Sequence, residues 1–478
     1  MSALAAVLVA VAAQAESVPR AAQQEGAEAR ERPGAAAREH PIALVAEDRV
    51  ALRAAPRESA AAEAMLLRGE WLEVRGEAPG FLKVYDHRRE RPGFVRVEKV
   101  RLAPADPAEL RAIVRFLRGS PGMESLGIAY AALSLRGAQP AAPEVYAAIG
   151  EQATRLAARQ DPHREVAEAA GARFIDVERE GRVITCYDGD AFRRVLSMPG
   201  AEDADRAGAA LALTSAECVD PAAPPAAARL WSEWRLEVLD RVQTAPAQLL
   251  ARVRLRRVEA LGALAYAEAR AGDPVKAAER AERALGELQL VDRATLSEEE
   301  LPLHATAALQ LSAVRWATEQ PEVAPEKVAH LELRPARPGE SCLRVVIGGE
   351  AQAERCTWGY VWESSLRRTP GALTAAVQLG PAWTELWIFH RARRRWTSDV
   401  IPPASSASGI GVAESAGSTA DGTRLLVARE AMLRGRLSRH FELILTRSMR
   451  VVAQSSFPAG WFERSSSPSW RNRTLALR

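Results

Sequence analysis

The chain has 478 residues, 47% of them hydrophobic and 26% charged, which is ordinary for a folded protein of two to four domains and excludes a disordered or collagen-like chain. The net charge is only +3, and basic charge comes almost wholly from arginine, since the only lysines are Lys83, Lys99, Lys276 and Lys327. After the first fifteen residues no segment reaches 18 uncharged apolar residues, so no membrane span is expected in the mature chain.

Met1 to Ala15 carry no charge, and Leu4 to Ala13 form an apolar run that ends in the small-x-small string Ala13-Gln14-Ala15. That pattern predicts a cleaved secretory signal over 1–15 and an exported, periplasmic or envelope-associated product, although no basic residue precedes the run. Residues 16–40, rich in Ala, Glu, Arg and Gln, show no apolar period and are expected to be a flexible linker.

From 41 to 103 short β-like runs alternate with turn residues. Alternation puts Leu72 and Val74 on one face of a strand, and Leu82 and Val84 on one face of another. Four spaced strings occur in order: Val50-Ala51-Leu52-Arg53-Ala54-Ala55-Pro56, Gly69-Glu70-Trp71-Leu72-Glu73-Val74, Gly80-Phe81-Leu82-Lys83-Val84 and Gly93-Phe94-Val95. Together they resemble the bacterial SH3-like (SH3b) family over roughly an eighth of the chain. The resemblance implies a small β-barrel, and in that family a groove often binds cell-wall peptides or glycan stems. The aromatic residues that could line such a groove are Trp71, Phe81, Tyr85 and Phe94. Tyr85 and Phe81 are the foremost of these, with ordinary core packing as the alternative.

From 104 to 325 the apolar spacing is helical and alanine-rich. Leu264 to Asp273, with Ala277, Ala281 and Ala284-Leu285 after it, resembles a tetratricopeptide-like helical hairpin. Leu126-Gly127-Ile128-Ala129-Tyr130 repeats the opening, but no regular period follows, so an irregular helical domain is expected. Phe174 to Tyr187 should interrupt it as a hairpin turning at Glu180-Gly181. Asp188-Gly189-Asp190 predicts a turn in which Asp190 caps the next helix. Trp231 and Trp234 share a helix face and are expected in the core.

From 326 to 478 the chain turns to β structure and carries two copies of one unit. The first runs from Thr369-Pro370-Gly371 through Leu373–Val377 to Glu385–Ile388, and the second from Thr419–Gly422 through Leu425–Ala428 to Glu442–Leu445. Their order resembles blades of TolB-type or WD40-like propellers, but the segment is too short to close one, so a partial propeller or a sandwich is expected. Residues 330–478 hold 21 arginines against 12 acidic residues, an excess of nine positive charges. Their densest basic patch is Arg391, Arg393, Arg394 and Arg395, read as a solvated hairpin turn or a contact for an anionic envelope component. Nucleic acid is not an expected partner of an exported chain.

The four cysteines form no C-x-x-C pair and so lack zinc or thioredoxin spacing. If Gly348 to Glu350 form a hairpin loop, Ile347 pairs with Ala351 and Cys342 comes to stand opposite Cys356, at the ~4.5–5.5 Å that a disulfide bridges. Cys186 and Cys218 would then pair across a helical segment, though three connectivities are formally open and free thiols are the alternative.

No metal-ligand spacing, phosphate-binding loop or dinucleotide fingerprint occurs, so no metal or cofactor is expected. Ala413-Glu414-Ser415-Ala416-Gly417 has the string of a nucleophile elbow, but the following Thr419 to Gly422 is turn chemistry leading into another strand, so Ser415 reads as an ordinary strand residue. The expected function is a non-enzymatic envelope binding or scaffold protein that recognises peptidoglycan, a peptide or another envelope protein. The alternatives are an envelope hydrolase assembled from distant residues and a purely structural scaffold.

Overall fold

A computed structural model describes residues 40–136, 142–159, 162–179, 181–219, 223–321, 328–405 and 409–472. The expected signal segment and, except for His40, the expected linker lie outside these residues. The fold is mixed, with largely antiparallel sheets in the N-terminal and C-terminal parts of the described residues and helices between them.

The first unit is a sheet of seven strands: β1 (Ile42–Val45), β2 (Val50–Arg53), β3 (Ala62–Leu66), β4 (Trp71–Ala78), β5 (Phe81–Asp86), β6 (Arg91–Arg96) and β7 (Val100–Leu102). Their order is β3-β2-β6-β5-β4-β1-β7, a path with β3 and β7 at its ends, so the expected barrel does not close among the described residues. Alternation works as the sequence requires: Leu72, Val74, Leu82, Val84 and Val95 point into one core with Leu52 and Leu66. Each such side chain contributes about 1.5–3 kcal/mol by leaving water.

Ten helices follow among the described residues: α1 (Pro107–Arg118), α2 (Glu124–Leu135), α3 (Pro143–Ala158), α4 (Arg164–Ala169), α5 (Asp190–Ser197), α6 (Asp203–Leu213), α7 (Pro225–Asp240), α8 (Ala247–Arg270), α9 (Pro274–Gln289) and α10 (Leu301–Val314). The expected hairpin is present as β8 (Phe174–Arg179) and β9 (Arg182–Tyr187), of whose turn Glu180 lies outside the described residues. At the start of α5 the capping differs from expectation. Gly189, at φ +84°, is the capping position, Asp188 Oδ1 accepts from the Asp190 amide at 2.8 Å, and Asp190 pairs with Arg194 one turn on. The left-handed backbone at Gly189 is what moves the cap back by one residue.

In the α8–α9 hairpin Gly272 takes φ +83° and the Asp273 side chain accepts from the Lys276 amide, ending one helix and starting the next. Ala277, Ala281 and Ala284 are fully buried against α8, small side chains that let the helices approach closely. Trp231 and Trp234 stack at 4.8 Å between centroids, Trp234 reaching the core formed by α6, α7 and α8.

The C-terminal unit has two sheets. β10 (His330–Pro335), β11 (Ser341–Ile347) and β12 (Glu350–Thr357) form the smaller one. The larger has nine strands: β13 (Tyr360–Val361), β14 (Arg367–Arg368), β15 (Ala372–Gly380), β16 (Trp383–Ala392), β17 (Arg395–Ile401), β18 (Ile410–Ser418), β19 (Arg424–Leu433), β20 (Arg436–Leu445) and β21 (Val451–Ser455). Leu343 and Val345 of the small sheet share a core with Leu373, Val377, Trp387 and Phe389 of the large one, so the two pack face to face.

Both sequence repeats are present as hairpins, β15–β16 and β19–β20, with Val377 opposite Glu385 in the first and Val427 opposite Glu442 in the second. They are not separate blades. A short parallel pairing, Trp383 with Gly411 and Thr384 with Val412, joins them into one sheet, and no propeller forms among the described residues. The two repeat turns also touch, since a Cβ added at Gly371 would lie 1.9 Å from the Gly422 carbonyl oxygen. Two short helices, α11 (Gly460–Ser465) and α12 (Pro468–Asn472), cover the β18–β20 face through Phe462 and Trp470. The sequence reading of 326–478 as all-β did not anticipate them.

Both disulfides are formed, Cys186–Cys218 and Cys342–Cys356. The second arises by a different register from the one expected. Gly348 and Gly349, both at positive φ, make a two-residue turn, so Ile347 faces Glu350 and Val346 faces Ala351. An irregularity between Val345 and Val346 then restores the register that sets Cys342 opposite Cys356.

Candidate binding surfaces

Trp71, Phe81, Tyr85 and Phe94 all have the opposite parity to the core residues of their strands, which places them on the outer face of the N-terminal sheet. The structure joins only two of them. The Trp71 and His87 rings stack at 5.1 Å between centroids, and Tyr85 meets His87 edge-on at 4.9 Å. Arg136 also lies over the Trp71 ring at 4.8 Å, and Arg75 lies over Tyr85 at 3.9 Å. A row of five π systems therefore runs from Arg75 through Tyr85, His87 and Trp71 to Arg136.

Local structure explains the row. Between Val74 and Gly76 the β4–β5 register slips, leaving Arg75 as an extra residue beside Tyr85. Glu73, opposite Tyr85, accepts from Arg75 Nε at 2.8 Å and contacts His87 Nε2 at 2.6 Å, which fixes both flanking groups. Those two hydrogen bonds, from Arg75 first and His87 next, hold the Glu73 carboxyl below its ordinary value. Phe81 sits apart at the other end of β5, buried with Arg96 over its ring at 5.3 Å, and Phe94 stands opposite Lys83. His87 and Arg136 were not among the sequence candidates, because nothing in a single sequence brings a strand end and a helix end together.

The sheet is seated on the helices by a cluster of charged groups. Asp48 contacts His163 Nε2 at 2.5 Å and pairs with Arg68, whose Nη1 donates to the Gly122 carbonyl at 2.6 Å. Burial alone would raise the Asp48 carboxyl, but the hydrogen bonds from His163 and Arg68 outweigh it and lower it to about 2. The buried Glu70 is held by Arg89 at 2.6 Å and Arg88 at 3.3 Å, and Arg88 reaches Glu165 of α4 at 2.6 Å.

In the basic patch Arg393 and Arg394 are the two central residues of the β16–β17 turn, with φ of +48° and +71°. All four arginines are exposed, and Arg391 lies over Trp396 at 5.6 Å.

A cavity of about 1130 Å³ lies between the α8–α9 hairpin, the 335–341 loop and residues 359–364. Glu279, Glu282, Glu319, Glu340 and Glu363 line it with Arg270 and Arg337, around apolar walls that include Trp316, Leu333 and Tyr360. A second cavity of about 240 Å³ lies between the 3₁₀ turn Arg315–Thr318, β14, β18 and α12. Ser415 lines it, as an interior residue of β18 opposite Val427 and not at a strand-to-helix elbow. No histidine lines either cavity among the described residues. Elsewhere among the described residues, three residues of metal-ligating type come together, Cys342, Glu354 and Cys356, and the two sulfurs are joined to each other.

No helix among the described residues is long and apolar enough to cross a membrane. No protein-family model, curated protein or solved structure matches the chain.

Proposed function

We propose that the chain is a non-enzymatic binding protein of the bacterial cell envelope, exported, whose N-terminal sheet is an SH3b-type module that recognises peptidoglycan or a peptide through Tyr85, His87 and Trp71. The observation that carries this is the partly exposed π row on the outer face of the sheet. Aromatic faces bordered by guanidinium groups bind sugar rings and peptide carboxylates with little rearrangement. Two disulfides fit an oxidising compartment, where such bonds persist.

A scaffold role with a protein partner is the second reading, favoured by the size of the cavity beside α8 and α9 and by its five glutamates against two arginines. That balance suits a basic extended segment of another protein. Co-sedimentation with purified peptidoglycan tests the wall form of the first reading, since a scaffold with a protein partner would not sediment with the wall.

A further inference from the structure

We infer that the 240 Å³ cavity between the Arg315–Thr318 turn, β14 and β18 is a binding site for a small oxyanion, a carboxylate or a phosphate. Three arginines line it, Arg315, Arg367 and Arg368. Two of them are anchored by buried glutamates: Arg315 by Glu414, and Arg367 by Glu319 at 2.7 Å. Three guanidinium groups against two carboxylates leave one positive charge in excess. Arg368 is the exposed member, and its side chain makes no hydrogen bond or ion pair among the described residues.

The donors point the same way. Trp316 is 7% exposed, lines both this cavity and the larger one, and has an indole Nε1–H without an acceptor. Arg315 Nε is likewise buried and without an acceptor, although Nη2 of the same group pairs with Glu414. Buried donors are nearly always satisfied in folded proteins, by protein, water or ligand. Two orphan donors on adjacent residues, beside Arg368 and the Ser415 hydroxyl, outnumber the local carboxylate acceptors, of which Glu414 Oε2 faces Arg315 Nη2.

The arrangement is rigid in the sense such a site needs. Glu414 also accepts from Trp470 Nε1 at 2.8 Å, and the Trp316 ring has Arg315 at 4.1 Å and Arg367 at 5.7 Å. The cavity holds the volume of about eight water molecules at ~30 Å³ each, enough for a phosphate or carboxylate on a small organic body.

Isothermal titration of the full chain with inorganic phosphate, phenyl phosphate and benzoate tests the site. Saturable binding of at least one probe is expected, weakened about tenfold or more in Arg368→Gln and in Trp316→Phe, which loses the indole donor and keeps a ring. The probe that binds most tightly identifies the head group. Arg368 is exposed, so its replacement leaves the fold intact and decides the matter alone if Trp316→Phe fails to fold. No saturable heat with any probe at about 10 mM, or equal affinity in Arg368→Gln, would overturn the site.

Discussion

Gly69 lies with its α-carbon against the backbone of Ser125, so close that an added Cβ would stand 2.7 Å from the Ser125 carbonyl carbon and oxygen. This is where the N-terminal sheet meets the start of α2, and Ser125 Oγ donates to the Arg68 carbonyl beside it at 2.8 Å. Gly69 also has φ +91°, a conformation that costs other residues about 1–2 kcal/mol.

Gly69→Ala therefore combines backbone strain with a steric conflict that only movement of the sheet can relieve. We expect a loss of about 2–4 kcal/mol and easier proteolysis between the sheet and α1, with the sheet core itself retained. Denaturant titration and limited proteolysis measure both, and an unchanged cleavage pattern would show that the two units are not seated through this contact.

Asp48 gives the same boundary a pH dependence. Its carboxyl is lowered from 3.8 to about 2 in the fold, so its contribution is fully present above pH 4 and is lost as pH falls towards 2. Screened at this partly exposed site, the contribution is about 1–2 kcal/mol. Asp48→Asn should lower the unfolding midpoint at pH 7, and the gap from the native chain should close as pH falls to 2. A constant gap across that range would place the effect elsewhere.

The disulfides differ in the length of chain they close, 32 residues between Cys186 and Cys218 and 14 between Cys342 and Cys356. Chain entropy gives about 4 and about 3 kcal/mol respectively. Replacing the first pair by serine should therefore destabilise more than replacing the second, as read by chemical denaturation.

Arg393 and Arg394 occupy positive φ without the glycine or asparagine that such turns favour. Substituting Asn-Gly for the pair should stabilise the chain by about 0.5–1 kcal/mol. A gain in thermal midpoint with wall binding unchanged would identify the run as a turn and not a contact.

Features that depend on short-range alternation or helix spacing were legible in the sequence. Leu72, Val74, Leu82 and Val84 entered one core as their parity required, and Ala277, Ala281 and Ala284 entered the α8–α9 contact. Cys342 reached Cys356 for a partly mistaken reason. The turn is one residue shorter than expected, and a bulge, invisible to pattern counting, compensates.

What depends on distant pairing was not legible. The two C-terminal repeats were visible as copies, but their union through Trp383–Gly411 and the Gly371–Gly422 contact follows from how hairpins pack. His87 gave no signal as the stacking partner of Trp71, nor did Arg315 as the partner of Glu414, because these pairs form only after separate elements dock. The short helices α11 and α12 were missed because one turn of helix carries no period.

The central claim is wall recognition by the π row, and co-sedimentation of the chain with purified peptidoglycan sacculi at physiological salt tests it most directly. Tyr85→Ala and His87→Ala run beside the native chain. The account predicts that the native chain sediments and that both variants stay largely in solution with unchanged thermal midpoints. Equal sedimentation of all three, or none by the native chain, would contradict it.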